Sequence, residues 1–147
     1  MITPYNDDYF MKQAFQEAQK AFEVGEVPVG AVVVCKNQVI ARSHNLTEQL
    51  TDVTAHAEMQ AITAASNFLG GKYLKDCTLY VTLEPCTMCG GALYWSQIGK
   101  VIFAAKDEKR GAGKHIGVYH PKTVVESGIM ETECADLIKL FFSMKRN

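Results

Sequence analysis

Apolar residues recur every four positions at Phe10, Ala14, Ala18 and Phe22, which predicts a helix over 7–24 with one face turned inward. Asn6 or Asp7 can cap its start, and Gly25 stops it. The period then changes. Residues 31–35, Ala-Val-Val-Val-Cys, form an unbroken, largely β-branched run, the pattern of a strand covered on both faces. A turn at Lys36-Asn37-Gln38 and a second run at 39–42 complete a hairpin, and Cys35 reads as a small buried hydrophobe. The polar stretch 44–52 is a loop leading to a second helix. That helix runs from about His56 to 67, with Met59, Ile62 and Ala65 as its inward stripe and Gly70-Gly71 as its stop. A strand over 79–83, a helix reaching about 98 and a strand over 101–105 follow. A short strand near 123–125 and an amphipathic helix over about 132–145, built on Cys134, Leu137, Ile138, Phe141 and Phe142, close the chain. Between the last two strands, 106–122 is glycine-bearing and charged and reads as an exposed excursion. Hairpin, helix, strand, helix, strand, helix predicts an α/β fold, a three-layer α/β/α sandwich around a five-stranded mixed sheet.

The length of 147 residues fits a single domain, 1–147, large enough to build its core without disulfides. Five cysteines, an odd number, and an N-terminus with neither a basic segment nor an apolar run point to a reducing cytoplasm. No apolar stretch approaches the roughly 20 residues of a membrane-spanning helix, so no membrane partner is expected. The net charge of −1 hides an asymmetry: 1–99 holds six Lys/Arg against ten Asp/Glu, and 100–147 holds nine against six. Lys106, Lys109, Arg110, Lys114 and Lys122 concentrate in the excursion. They read either as a solvated loop surface or as a face for phosphates.

The chemistry concentrates at Glu84-Pro85-Cys86-Thr87-Met88-Cys89. Pro85 suits the mouth of a helix, and cysteines three apart in a first turn can aim both sulfurs at one point beyond it, where the helix dipole favours thiolate. Alone, this Cys-x-x-Cys reads equally as a redox pair or as half a metal site. His56 and Glu58 change that balance. Two residues apart, they stand about 200° around a regular helix and can share a site only off its end. Two helix mouths would then converge on one Zn²⁺ held by His56, Cys86 and Cys89, with a fourth position open as in catalytic zinc sites and Glu58 beside it to move protons. The order His-x-Glu, then Pro-Cys-x-x-Cys, is the signature of zinc nucleobase deaminases. A zinc-bearing RNA-binding module without turnover would have no use for Glu58, and a redox protein would leave His56 unexplained.

The segments 27–31 (Val-Pro-Val-Gly-Ala), 54–58 (Thr-Ala-His-Ala-Glu), 78–89 and 133–135 (Glu-Cys-Ala) resemble the bacterial tRNA-specific adenosine deaminases, members of the cytidine-deaminase-like superfamily. The resemblance covers nearly the whole chain and is densest from 24 to 105. It implies zinc on His56, Cys86 and Cys89 and a proton-shuttling Glu58. It also implies a purine contact from Asn45, pocket wall from Pro28 and Val29, and backbone contacts from Ala57 and Glu84. The implied reaction is hydrolysis of adenosine to inosine at the wobble position of a tRNA anticodon loop, with release of ammonia, in a homodimer. The same machinery could deaminate a free base or nucleoside. Lys109, Arg110, Lys114, Lys145 and Arg146 are the candidate RNA contacts. After Lys109 the chain departs from the family pattern, with Gly111-Ala112-Gly113-Lys114-His115 and His120-Pro121-Lys122 where many relatives carry Gly-Ala-Ala-Gly-Ser and Asn-His-Arg.

Overall fold

A computed structural model describes residues 5–145. Strands β1 (Gly30–Cys35), β2 (Gln38–His44), β3 (Cys77–Leu83), β4 (Lys100–Ala105) and β5 (Val124–Ser127) form one sheet in the order β2-β1-β3-β4-β5. β1 pairs antiparallel with β2 and β3, while β3, β4 and β5 run parallel. The helices are α1 (Asp7–Glu23), α2 (Ala57–Leu69), α3 (Thr87–Ser96) and α4 (Glu131–Lys145). Alternation along β1 sorts the layers. Ala31 and Val33 pack with Ala57, Ala61 and Leu93 on one face, and Val32 and Val34 pack with Phe10, Met11, Ala14 and Cys134 on the other. Thus α2 and α3 cover one side and α1 and α4 the other, as a five-stranded mixed sheet in three layers requires.

Local chemistry explains the element ends. The Asn6 side chain accepts the Tyr9 N–H at 2.9 Å and starts α1. Lys36 and Asn37, at φ 52° and 61°, make a two-residue hairpin turn of the kind whose twist matches its strands, so Gln38 already belongs to β2. Gly70 ends α2 in the left-handed conformation.

Several expectations need correction. The buried stripe of α2 is Ala57, Ala61 and Ala65, while Met59 and Ile62 are only half-buried, because a helix lying close on a β-branched sheet accepts methyl groups and turns longer side chains to its flank. Helix α3 ends at Ser96, where Gln97 turns left-handed, and Ile98 is buried beyond the helix. β5 extends two residues past the expected 123–125 and is an exposed edge strand. Cys35 is half-buried and faces Cys77 across β1 and β3. The excursion is not wholly exposed, since Gly111 and Ala112 are buried. Among the described residues no helix is long and apolar enough to cross a membrane.

Gly30 carries the closest approach of α1 to the sheet. A Cβ there would stand 2.1 Å from the Ala14 carbonyl oxygen and 2.4 Å from the Ala18 nitrogen. Backbone cannot yield as a side chain can, so Gly30→Ala is expected to destabilise the protein by about 3 kcal/mol. Denaturant titration measures this, and a midpoint equal to the parent's would show that α1 is free to shift.

Candidate active site

Because β2, β3 and β4 point the same way, their C-terminal ends share one edge of the sheet. The segments that follow them, 45–56, 84–86 and 106–113, meet there. Ligand crevices form at such edges. His56 and Cys86 are the N-caps of α2 and α3, both in extended backbone, and neither makes a side-chain capping bond. Each helix forgoes about 1 kcal/mol of capping and leaves its side chain free to face the other. His56 Nδ1 lies 3.4 Å from Cys89 Sγ and 3.7 Å from Cys86 Sγ, and the three donor atoms all fall within 4.8 Å of one another. Zn–S near 2.3 Å and Zn–N near 2.0–2.1 Å in a tetrahedron imply an S–N edge of roughly 3.5 Å, so the donor set fits a tetrahedral divalent metal. Among the described residues this group contains no fourth donor. His44, Cys77, His115 and His120 all lie outside it.

Glu58, 4 % exposed, sits in the first turn of α2 with its carboxyl close enough to interact with the Cys89 thiol. Burial pushes its pKa up to about 7. The Cys86 thiol is drawn down to about 4, first by the hydrogen bond from Cys89 and then, against the cost of burial, by the His56 ring. That shared hydrogen bond and burial push Cys89 up. His56 is raised, first by its bond to Cys86. The protein alone thus favours the thiolate at Cys86 over that at Cys89. A bound dication favours ionisation of the second thiol and of Glu58.

In front of these groups opens a cavity of about 890 Å³. Asn45, Val29, Ala57 and Glu84 line it. Pro28 does not. The Val29 N–H donates to the Val27 carbonyl at 2.8 Å, so Pro28 forms the apex of a tight turn, and Val27 takes the place on the wall expected of Pro28. Lys109 and Arg110 reach the cavity. Lys114 and Lys145 do not: Lys114 ends the short 3₁₀ turn Ala112–Lys114, and Lys145 lies 5.5 Å over the Phe141 ring. Arg146 lies outside the described residues.

Lys106, one of the excursion's cations read as a possible face for phosphates, joins the cavity's basic rim. The sequence reading missed four features. Lys139, Ile138 and Phe142 of α4 line the cavity. Glu26, 1 % exposed, accepts the backbone N–H groups of Glu48 at 3.0 Å and Gln49 at 2.8 Å, and so holds the loop that presents Asn45. The Glu84 carboxylate plays a similar part for the loop after β4. The Tyr119 hydroxyl, in the divergent segment, is buried without a hydrogen-bond partner. Burial first, and then the charges of Glu84 and Glu58, raise its pKa.

Fold and site together place the chain among the hydrolytic deaminases of nucleobases, and the family profile of MafB19-like deaminases matches residues 5–146. The chain belongs to the tRNA-specific adenosine deaminases. It is 45 % identical over 150 residues to a tRNA-specific adenosine deaminase of Aquifex aeolicus, an alignment covering 95 % of this chain and 96 % of the relative. A solved structure from work on A-to-I editing by tRNA:A34 deaminases at the wobble position superposes with a TM-score of 0.82 at 43 % identity, covering 88 % of this chain and 98 % of that one. A guanine deaminase of Bacillus subtilis superposes with a TM-score of 0.66 at 41 % identity, covering 69 % of this chain and 65 % of the other.

Proposed function

We propose that this chain is a single-domain, zinc-dependent enzyme of the cytoplasm that hydrolyses adenosine to inosine at the wobble position of a tRNA anticodon. The observation that carries the reading is a buried carboxyl, Glu58, set beside three metal donors at the floor of a cavity with a basic rim. His56, Cys86 and Cys89 would hold a zinc ion, which when bound would lower the pKa of water at the site toward about 7 and so supply a nucleophile at neutral pH. The chain's own residues do the rest. Glu58 takes a proton from the attacking water and delivers it to N1 of the adenine ring, then takes the second proton from the new C6 hydroxyl and passes it to the amino group leaving C6. Adenosine and water thus become inosine and ammonia. Asn45, held from behind by the loop that Glu26 pins, orients the purine; Val27 and Val29 pack on its face. Ala57 and Glu84 offer backbone groups at its edge.

The cavity is larger than one base needs and carries Lys106, Lys109, Arg110 and Lys139 at its wall. That suits a nucleotide flipped from a loop with phosphates on either side. Ammonia release from an anticodon stem-loop, measured beside free adenosine, cytosine and guanine, tests the proposal. The likeness to a guanine deaminase supports one rival, a free-base deaminase, and a preference for guanine over the stem-loop would establish it instead. Each phosphate contact on single-stranded RNA contributes a salt slope of about −0.7, so Lys109→Gln with Arg110→Gln should flatten log K against log salt by about 1.4. Lys114→Gln, away from the cavity, should leave the slope near the parent's. Equal slopes in all three proteins would return the rim to the role of solvated surface.

The chain is further proposed to act as a homodimer. On α3 and just beyond it, Leu93 and Ile98 belong to the core. Trp95 remains 77 % exposed beside Ile62 and Tyr73, an apolar face suited to a second copy. A sedimenting monomer at micromolar concentration would count against it.

A further inference from the structure

The Glu84 side chain takes no part in the proton or metal chemistry, yet it is only 8 % exposed, and a buried carboxylate requires partners. Both partners are backbone. Oε1 accepts the Asp107 N–H at 3.0 Å and Oε2 accepts the Gly113 N–H at 2.8 Å, so one carboxylate gathers both ends of the turn after β4. The turn is shaped to admit it. A Cβ on Gly111 would stand 2.3 Å from Oε1, and one on Gly113 would stand 2.7 Å from Oε2. The same turn is tied to the metal-binding segment by the bridge pairing of Gly111 with Cys86 and by the Ala112 N–H, which donates to the Pro85 carbonyl at 2.8 Å. Within it, Asp107 Oδ1 accepts the N–H groups of Lys109 at 3.1 Å and Arg110 at 3.0 Å. Asp107, Lys109 and Arg110 then line the cavity.

We infer that Glu84 is a positioning residue for the nucleic-acid side of the site: its carboxylate locks 107–113 against the mouth of α3, so that Lys109 and Arg110 present a preformed wall to the RNA backbone flanking the target base. This rests on the RNA-deaminase reading above. The chemistry demands glutamate. Two N–H donors approach two different oxygens, whereas the amide of glutamine accepts through one oxygen and sets its own NH₂ against the other donor. Aspartate is one methylene too short to reach both. A preformed wall binds better than a mobile one because the ordering cost is met before the ligand arrives.

The test compares the parent, Glu84→Gln and Gly113→Ala, each as the zinc-loaded full chain. Three quantities are measured: zinc content, hydrogen exchange at the Asp107 and Gly113 amides, and kcat and KM on an anticodon stem-loop RNA with a wobble adenosine. Glu84→Gln should keep one zinc per chain and speed exchange at both amides about tenfold. It should also raise KM about tenfold while kcat falls less than threefold, the scale of one lost charge-assisted hydrogen bond. Gly113→Ala, which drives a methyl group at the intact carboxylate, should raise KM in the same direction. If Glu84→Gln melts earlier but keeps the parent KM, Glu84 merely satisfies buried amides and the inference is overturned. Should Glu84→Gln fail to fold, faster exchange with an unchanged KM in Gly113→Ala overturns it equally. A parent that does not deaminate the stem-loop defeats the functional reading instead. The exchange rates then still decide whether Glu84 holds the turn.

Discussion

Glu58→Gln, purified with its zinc in place, is expected to turn over at least 10²–10⁴-fold more slowly than the parent, the range for removing a general acid–base group, and toward the upper end because one carboxyl serves several proton transfers. The substitution keeps the volume of a side chain that is 4 % exposed, so the core around it should survive. Metal should survive as well, since His56, Cys86 and Cys89 form the donor group without Glu58. Zinc by elemental analysis and ammonia release from the stem-loop, measured on one preparation, separate the two roles. Near-parent turnover at full zinc occupancy would assign the proton to another group. Tyr119, whose hydroxyl is buried near this cluster, is held in its protonated form by burial together with the charges of Glu84 and Glu58, and so is a poor base. Burial pushes the Glu58 carboxyl up to about 7, whereas a neighbouring dication pulls it down. The acid limb of kcat/KM in the zinc enzyme should therefore lie below pH 7.

Much of this site can be read from spacing because helix geometry leaves few choices. His56 and Glu58 cannot meet on a helix flank, and Cys86 and Cys89 can meet at a helix start. Converging helix mouths were the one arrangement serving all four, and the N-cap positions of His56 and Cys86 bear this out. What stayed hidden was held by backbone. Glu26 and Glu84 look like ordinary charges in the sequence, since their partners are amides about 22 to 29 residues further along the chain that no side-chain pattern encodes. The available signal was Gly111 and Gly113, whose missing Cβ atoms leave room for a carboxylate. Hydropathy favoured Met59 and Ile62 for the α2 stripe, yet close helix–sheet packing selects the alanines. Charge runs carry no direction, which is why Lys114 and Lys145 were grouped with Lys109 and Arg110 although only the latter pair faces the cavity.

Removing the metal should affect the fold as well as the chemistry. Two helices begin at the site without side-chain capping bonds, and Cys89 is fully buried there, so a bound zinc would cross-link the two helix mouths. A ligand that binds only the folded state and is 1,000-fold above its dissociation constant adds about 4 kcal/mol. For a chain of this length each kcal/mol moves Tm by about 2–4 °C, so chelation should lower it by about 8–16 °C. Cys89→Ser should fall by a comparable amount with its zinc content reduced, because a hydroxyl replaces a soft thiolate at one of three donors. Restoring zinc to the chelated parent should recover the midpoint, whereas Cys89→Ser should recover it only in part. If the parent, stripped to less than a tenth of its zinc, melts where the loaded protein melts, the two helix mouths are held by the hydrophobic layers behind them, and the metal serves the reaction alone.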